Sequence, residues 1–268
     1  PSQPISLGKF ESVASRSDAF KVTHDTEADP KGMLWSVGGG GAAGYRLTAD
    51  PLNPQLVAST SPDGINPSPF NDFILHNSQR NGNVLLITEE DYVDTDETPP
   101  GGCRGQGKFE TWSLAQMKPG GITPLDTWST ELNGFLFGGS DDSKAPVTVN
   151  CSSHWFDTGK DLVATGWYEQ GTRFLDVSNP RNIRQVGYYI PANGSTWAAY
   201  WSPTDPTRTI VYTADAYLGV DVLKIDRKER NADMETLVAP IPDEWWGDVP
   251  QFTYTPSTEW SYFCPRLP

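Results

Sequence analysis

Residues 150–190 read NCSSHWFDTGKDLVATGWYEQGTRFLDVSNPRNIRQVGYYI. Four short stretches of alternating apolar character make up this segment: NCSSHWFD (150–157), DLVATGWYEQ (161–170), GTRFLDVSNP (171–180) and IRQVGYYI (183–190). Turn residues separate them, and none carries a helical period, so each reads as a β-strand. The same order recurs downstream as WAAYWSP (197–203), TIVYTADAY (209–217), LGVDVLKID (218–226) and TLVAPI (236–241). Upstream it recurs as FKVTHDT (20–26), GMLWSVG (32–38), AGYRLTADP (43–51) and PQLVAST (54–60), and again, stretched, as FILHNS, VLLITEED, FETWSL and PLDTWST between Phe73 and Thr130. His24, His76 and His154, with Trp201 in the last copy, anchor the four first strands.

Four strands in a repeat of about 45–50 residues is the period of a β-propeller blade, whose faces are buried only by its neighbours in a ring. A two-layer sandwich could absorb as many strands but has no cause to repeat their order. The sequence therefore predicts an all-β propeller of four-stranded antiparallel blades, with four blades over residues 21–240. Residues 8–20, GKFESVASRSDAF, read as the outer strand of a blade whose start is missing, so the ring is expected to be larger, completed by N-terminal blades or another chain. The segment 91–108 is an insert between second and third strands, and the aromatic tail 241–268 is expected to pack on the ring.

The units GTRFLDVSNPRNIRQVGYY and LGVDVLKID, with VLLITEEDY and GCRGQGKFETW, resemble the LVIVD-repeat propellers of secreted, mostly actinobacterial proteins over most of residues 20–226. The core strands read RFLDV and VLKID, so the likeness is to the repeat's pattern and context. It implies a propeller and an extracytoplasmic location; it does not imply an activity.

Composition narrows the partners. The 268 residues carry 20 Lys+Arg against 34 Asp+Glu, a net charge of −14 with no basic cluster, which disfavours nucleic acid. No apolar run reaches the ~20 residues of a bilayer span. Ten Trp, ten Tyr and eleven Phe give enough apolar material for a folded core. Cys103 and Cys151 lie in polar, Gly- or Ser-rich stretches where a disulfide is easily placed, pointing to an oxidising compartment and leaving Cys264 over.

Propeller geometry turns this spacing into convergence. The first residues of each first strand and the loop between second and third strands share one face of the ring. His24, His76 and His154 should therefore meet at one channel mouth, with Glu90, Tyr168, Glu169, Asp215 and Trp201 beside them. Three chemistries fit. Imidazoles oriented by carboxylates hold a divalent transition metal; the same groups can bind a polar ligand without metal; or each histidine hydrogen-bonds a neighbouring blade's backbone as a structural element. Asp91, Asp94, Asp96 and Glu97 of the insert offer oxygen ligands for calcium but lack an EF-hand's glycine and closing Glu; a lid over the channel mouth fits the insert better. Gly38–Gly41 lacks the Lys-Ser/Thr of a phosphate loop. The expected function is a secreted binding or assembly module whose site takes a metal, a polar small molecule, a carbohydrate or a protein. The alternative is a metal-dependent lyase, hydrolase or oxidase, with Tyr168 or Glu169 as acid or base.

Overall fold

The computed structural model describes residues 4–16, 21–63, 74–90, 107–129, 152–192 and 194–225. Among the described residues, fifteen strands form four antiparallel sheets, each a meander in sequence order. The first holds β1 (Thr23–Ala28), β2 (Met33–Gly38), β3 (Gly41–Arg46) and β4 (Gln55–Ser59); the second holds β5 (Ile74–Asn81), β6 (Val84–Glu90), β7 (Phe109–Ser113) and β8 (Thr123–Trp128). The third holds β9 (Phe156–Gly159), β10 (Leu162–Gly166), β11 (Thr172–Asp176) and β12 (Arg184–Tyr189); the fourth has β13 (Thr196–Trp201), β14 (Ile210–Asp215) and β15 (Gly219–Lys224). The first strands β1, β5, β9 and β13 contact one another in that order, which puts them innermost. These are the blades of a β-propeller.

The middle strands show why the order repeats. LVATG of β10 and TRFLD of β11 are buried at every position, because the third sheet is covered on both faces by the second and fourth. Three apolar clusters do the covering. Trp35, Val37 and Ala58 meet Leu75, Ile87 and Trp112 between the first and second sheets. Leu86 and Phe109 meet Phe156, Val163 and Leu175 between the second and third. Leu162, Ala164 and Phe174 meet Ala199, Trp201 and Val211 between the third and fourth.

Residues 8–16 correct the sequence reading. They form no strand; a 3-10 turn at Val13–Ser15, capped by Ser12, packs on the outward face of the first sheet instead. Val13 N–H donates to the Tyr45 hydroxyl (2.8 Å), and Gly40 N–H donates to the Ala14 carbonyl (2.6 Å). Burying Val13 and Ala14 against Ala43 and Tyr45 leaves these amides to such local partners rather than a strand ladder. The tail 241–268 lies outside the described residues.

One polar clamp crosses the first blade boundary. Asp29 Oδ2 accepts from Trp35 Nε1 and from Arg80 Nη1, each at 3.0 Å, while Oδ1 accepts from the backbone of Lys31 and Met33. Burial alone would raise the carboxyl's pKa, but these four bonds outweigh it and hold it below the usual value. Asp29→Ala leaves the Arg80 charge and the indole N–H without this acceptor, so it should lower the unfolding free energy by about 3 kcal/mol. Urea denaturation checks this; a loss under about 1 kcal/mol would contradict the clamp.

Candidate functional site

The site begins with a repeated defect in the innermost strands. Pairing of β1 with β2 skips His24, and pairing of β5 with β6 skips His76, so each histidine is the extra residue of a β-bulge. Trp197 is skipped in the same way between β13 and β14. His154 occupies the corresponding place just ahead of β9, its N–H donating to the Gly166 carbonyl. A bulge re-aims a side chain out of the alternating pattern. Here it turns successive rings toward one another: His24 and His76 lie 4.0 Å apart between centroids, His76 and His154 4.1 Å, and His154 and Trp197 5.0 Å.

The rings are held by their neighbours' backbone. His24 Nδ1 lies 3.0 Å from the His76 carbonyl, and His154 Nδ1 lies 2.7 Å from the Trp197 carbonyl. A carbonyl can only accept, so both Nδ1 atoms carry the proton and both Nε2 atoms present lone pairs. Those two nitrogens, and Nε2 of His76, face Glu90 at the end of β6. His24 Nε2 is 3.9 Å and His76 Nε2 3.4 Å from Glu90 Oε2; His154 Nε2 is 3.5 Å from Oε1. Glu90 and His76 are each 1% exposed. Both His76 ring nitrogens are buried, and neither makes a hydrogen bond of ordinary geometry among the described residues.

Burial keeps all three imidazoles neutral. It lowers the His24 pKa, partly offset by the bond to His76; it lowers His76 well below its usual value, helped by the His154 and His24 rings and partly offset by the His154 backbone; and it takes His154 down to about 4, partly offset by Trp197. The three Nε2 atoms thus converge on the buried Glu90 carboxyl group. His24, His76 and Glu90 place ligand atoms within 4.8 Å of one another, a spacing that one metal ion can bridge.

Tyr168 closes the group from the β10–β11 turn by donating its hydroxyl to Glu90 Oε1. Its backbone is left-handed (φ 44°), as is that of Gly171 (φ 72°), where a Cβ would meet the Tyr189 carbonyl at 2.1 Å. Gly171 N–H donates to the Tyr168 carbonyl within the turn, and Tyr168 exchanges two backbone bonds with Thr196 of the fourth sheet (2.9 and 2.8 Å).

The other expected residues stand apart. Trp201 is 2% exposed and sits in the core between the third and fourth sheets, its indole donating to the Asp157 carbonyl; Trp197 holds the place at the rim. Asp215 caps the β14–β15 turn by accepting from Tyr217 and Leu218 N–H. Glu169 is half-buried and is not one of the ligand atoms brought together around Glu90. Cys103, Cys151 and Cys264, with Asp91, Asp94, Asp96 and Glu97, lie outside the described residues. Sequence alignment of the repeats by their apolar residues hid the Trp197 equivalence, because the bulge adds one residue ahead of each pairing register.

No family model matches the chain, and no curated protein matches it. Among solved structures it is similar to the computationally designed Ika4 protein, at 12% identity and TM-score 0.49, over 83% of this chain and all of that one. It is also similar to the Cps50 (Swd1) β-propeller domain of Myceliophteria thermophila (11%, TM-score 0.47, 76% of this chain and 54% of that one). The C-terminal WD40 domain of Sif2 is a third (12%, TM-score 0.46, 76% and 46%). The chain thus spans about half the length of the two natural proteins. At these values the propeller assignment rests on the sheet order and the packing described above.

Below the histidines the inner strands carry Asp25, Glu27 and Asp157. Burial first, then the charges on Asp25, Asp157 and Asp29, push Glu27 up to about 7. A raised carboxyl favours the folded state while protonated, and this contribution is lost as pH rises from about 4.5 to about 7. Glu27→Gln should therefore be more stable than the parent at pH 8, by about 1 kcal/mol after solvent screening, and equal to it at pH 4. Denaturation at the two pH values measures this; a variant less stable at pH 8 would contradict the repulsion.

Proposed function

We propose that His24, His76 and Glu90 bind a divalent transition metal, and that the protein is a propeller-based binding module organised around that centre. The observation that carries this is the convergence of ligand atoms from His24, His76 and Glu90 within 4.8 Å of one another, with His24 held by its Nδ1 so that Nε2 points at Glu90. The Nδ1–H of His24 on a backbone carbonyl is the outer contact that metal-bound histidines make. Two imidazoles and one carboxylate suit iron, zinc or manganese and leave positions open for a polar ligand. The same open positions are what a metal-dependent lyase, hydrolase or oxidase would use. Membership among the LVIVD-repeat propellers and an extracytoplasmic location belong to the same proposal and rest on sequence pattern and cysteine content.

An assembly role is favoured by a separate observation. Tyr200, Tyr212 and Val222 are cross-strand neighbours on the fourth sheet and are 46%, 42% and 62% exposed, where the corresponding faces of the other sheets are packed. An open apolar face of this kind suits another protein surface, an additional blade above all.

The metal is tested by stripping the purified protein with chelator, titrating with cobalt(II) or zinc(II) and measuring bound metal after gel filtration. One equivalent is expected, with affinity lowered at least a hundredfold in His76→Ala and in Glu90→Gln. Equal metal in parent and variants would overturn the proposal. For the exposed face, Val222→Lys should change the unfolding free energy of the isolated chain by no more than about 0.5 kcal/mol. A loss above about 2 kcal/mol would show the face already covered.

A further inference from the structure

We infer that Tyr168 is a positioning residue that fixes how Glu90 engages the metal: its hydroxyl occupies Oε1, so that Glu90 coordinates through Oε2 alone and one further position stays open for an anionic oxygen ligand. This rests on the metal-centre reading. The two oxygens of Glu90 have different surroundings. Oε2 faces the Nε2 atoms of His24 and His76, at 3.9 and 3.4 Å, while Oε1 accepts the Tyr168 hydroxyl and lies 3.5 Å from His154 Nε2. His154 is therefore outside the ligand set, and its ring instead packs edge-on against the phenol at 5.2 Å and 71°.

The backbone supports this assignment. A non-glycine residue at φ 44° is unfavourable by roughly 1–3 kcal/mol and persists where surrounding bonds impose it. Tyr168 is imposed by the pair of backbone bonds to Thr196 and by the Gly171 turn, and it is 5% exposed. The side chain held there donates its hydroxyl to Glu90 Oε1. With neutral imidazoles and one carboxylate, a divalent ion in this centre keeps net charge +1. A monoanionic oxygen donor, a carboxylate for instance, is the ligand class that this charge favours.

The test compares wild type, Tyr168→Phe and Tyr168→Gly, each loaded with cobalt(II), by visible absorption, cobalt affinity and titration with acetate. Tyr168→Phe keeps the ring and backbone but leaves a buried Glu90 oxygen without this donor, so its apo thermal midpoint should fall by several degrees while the fold is kept. Its cobalt affinity should fall about tenfold to a hundredfold. Its absorption should change as Glu90 becomes free to use both oxygens, and the acetate response should weaken at least tenfold. Tyr168→Gly, which removes the strain and the hydroxyl together, should give the same altered spectrum. Bound cobalt with wild-type spectrum, affinity and acetate response in Tyr168→Phe would overturn the tyrosine's role alone. Failure of the wild type to bind cobalt would overturn the metal reading and this inference with it.

Discussion

The structure depends on a contact made between blades, not within them: an imidazole Nδ1–H on the backbone carbonyl of the next blade's bulge residue, His24 on His76 and His154 on Trp197. A bulge breaks the strand ladder and would strand a carbonyl near the axis. The neighbouring ring supplies the missing donor. The same bond fixes the tautomer, so structural and chemical roles are one arrangement. The backbone takes the proton-bearing nitrogen and leaves the lone pair for the interior of the ring.

Apolar packing supplies the rigidity that makes this arrangement useful. The three interblade clusters bury Trp35, Trp112, Phe109, Phe156 and Leu175 at 1% exposure or less, which fixes the spacing of the inner strands. Polar clamps such as Arg80 with Asp29 then set the register of one blade on the next. Ring centroids about 4 Å apart on successive blades follow from that spacing. Glu90 reaches the histidines because it ends the strand paired beside the His76 bulge, whereas Glu89, one residue earlier, points away to Lys108 at 3.4 Å. The period-two alternation of a strand thus separates two adjacent glutamates into different roles.

Much of this was legible in the sequence. The four-strand repeat gave the blades, and the shared first-strand position of His24, His76 and His154 gave their meeting point, since both follow from periodicity. What the sequence could not show was direction. Trp201 looked equivalent to the histidines because apolar alternation ignores the extra residue of a bulge, which shifts the true counterpart to Trp197. Of the three imidazoles expected to meet, His24 and His76 face one oxygen of Glu90 and His154 the other, a distinction that spacing alone does not carry. Tyr168 was visible as a loop residue, but its left-handed backbone depends on Thr196, a partner on the fourth sheet. Residues 8–16 alternate well enough to suggest a strand, yet tertiary packing against Tyr45 makes them a capped turn.

The central claim is that a cation occupies the space between His24 Nε2, His76 Nε2 and Glu90 Oε2. Anomalous diffraction from crystals grown with the metal, collected on both sides of its absorption edge, addresses this most directly. The account predicts a single peak about 2.0–2.2 Å from those three atoms, with Glu90 Oε1 still on Tyr168. Ordinary hydrogen bonding between His76 Nε2 and Glu90, with no peak there at saturating metal, would contradict it.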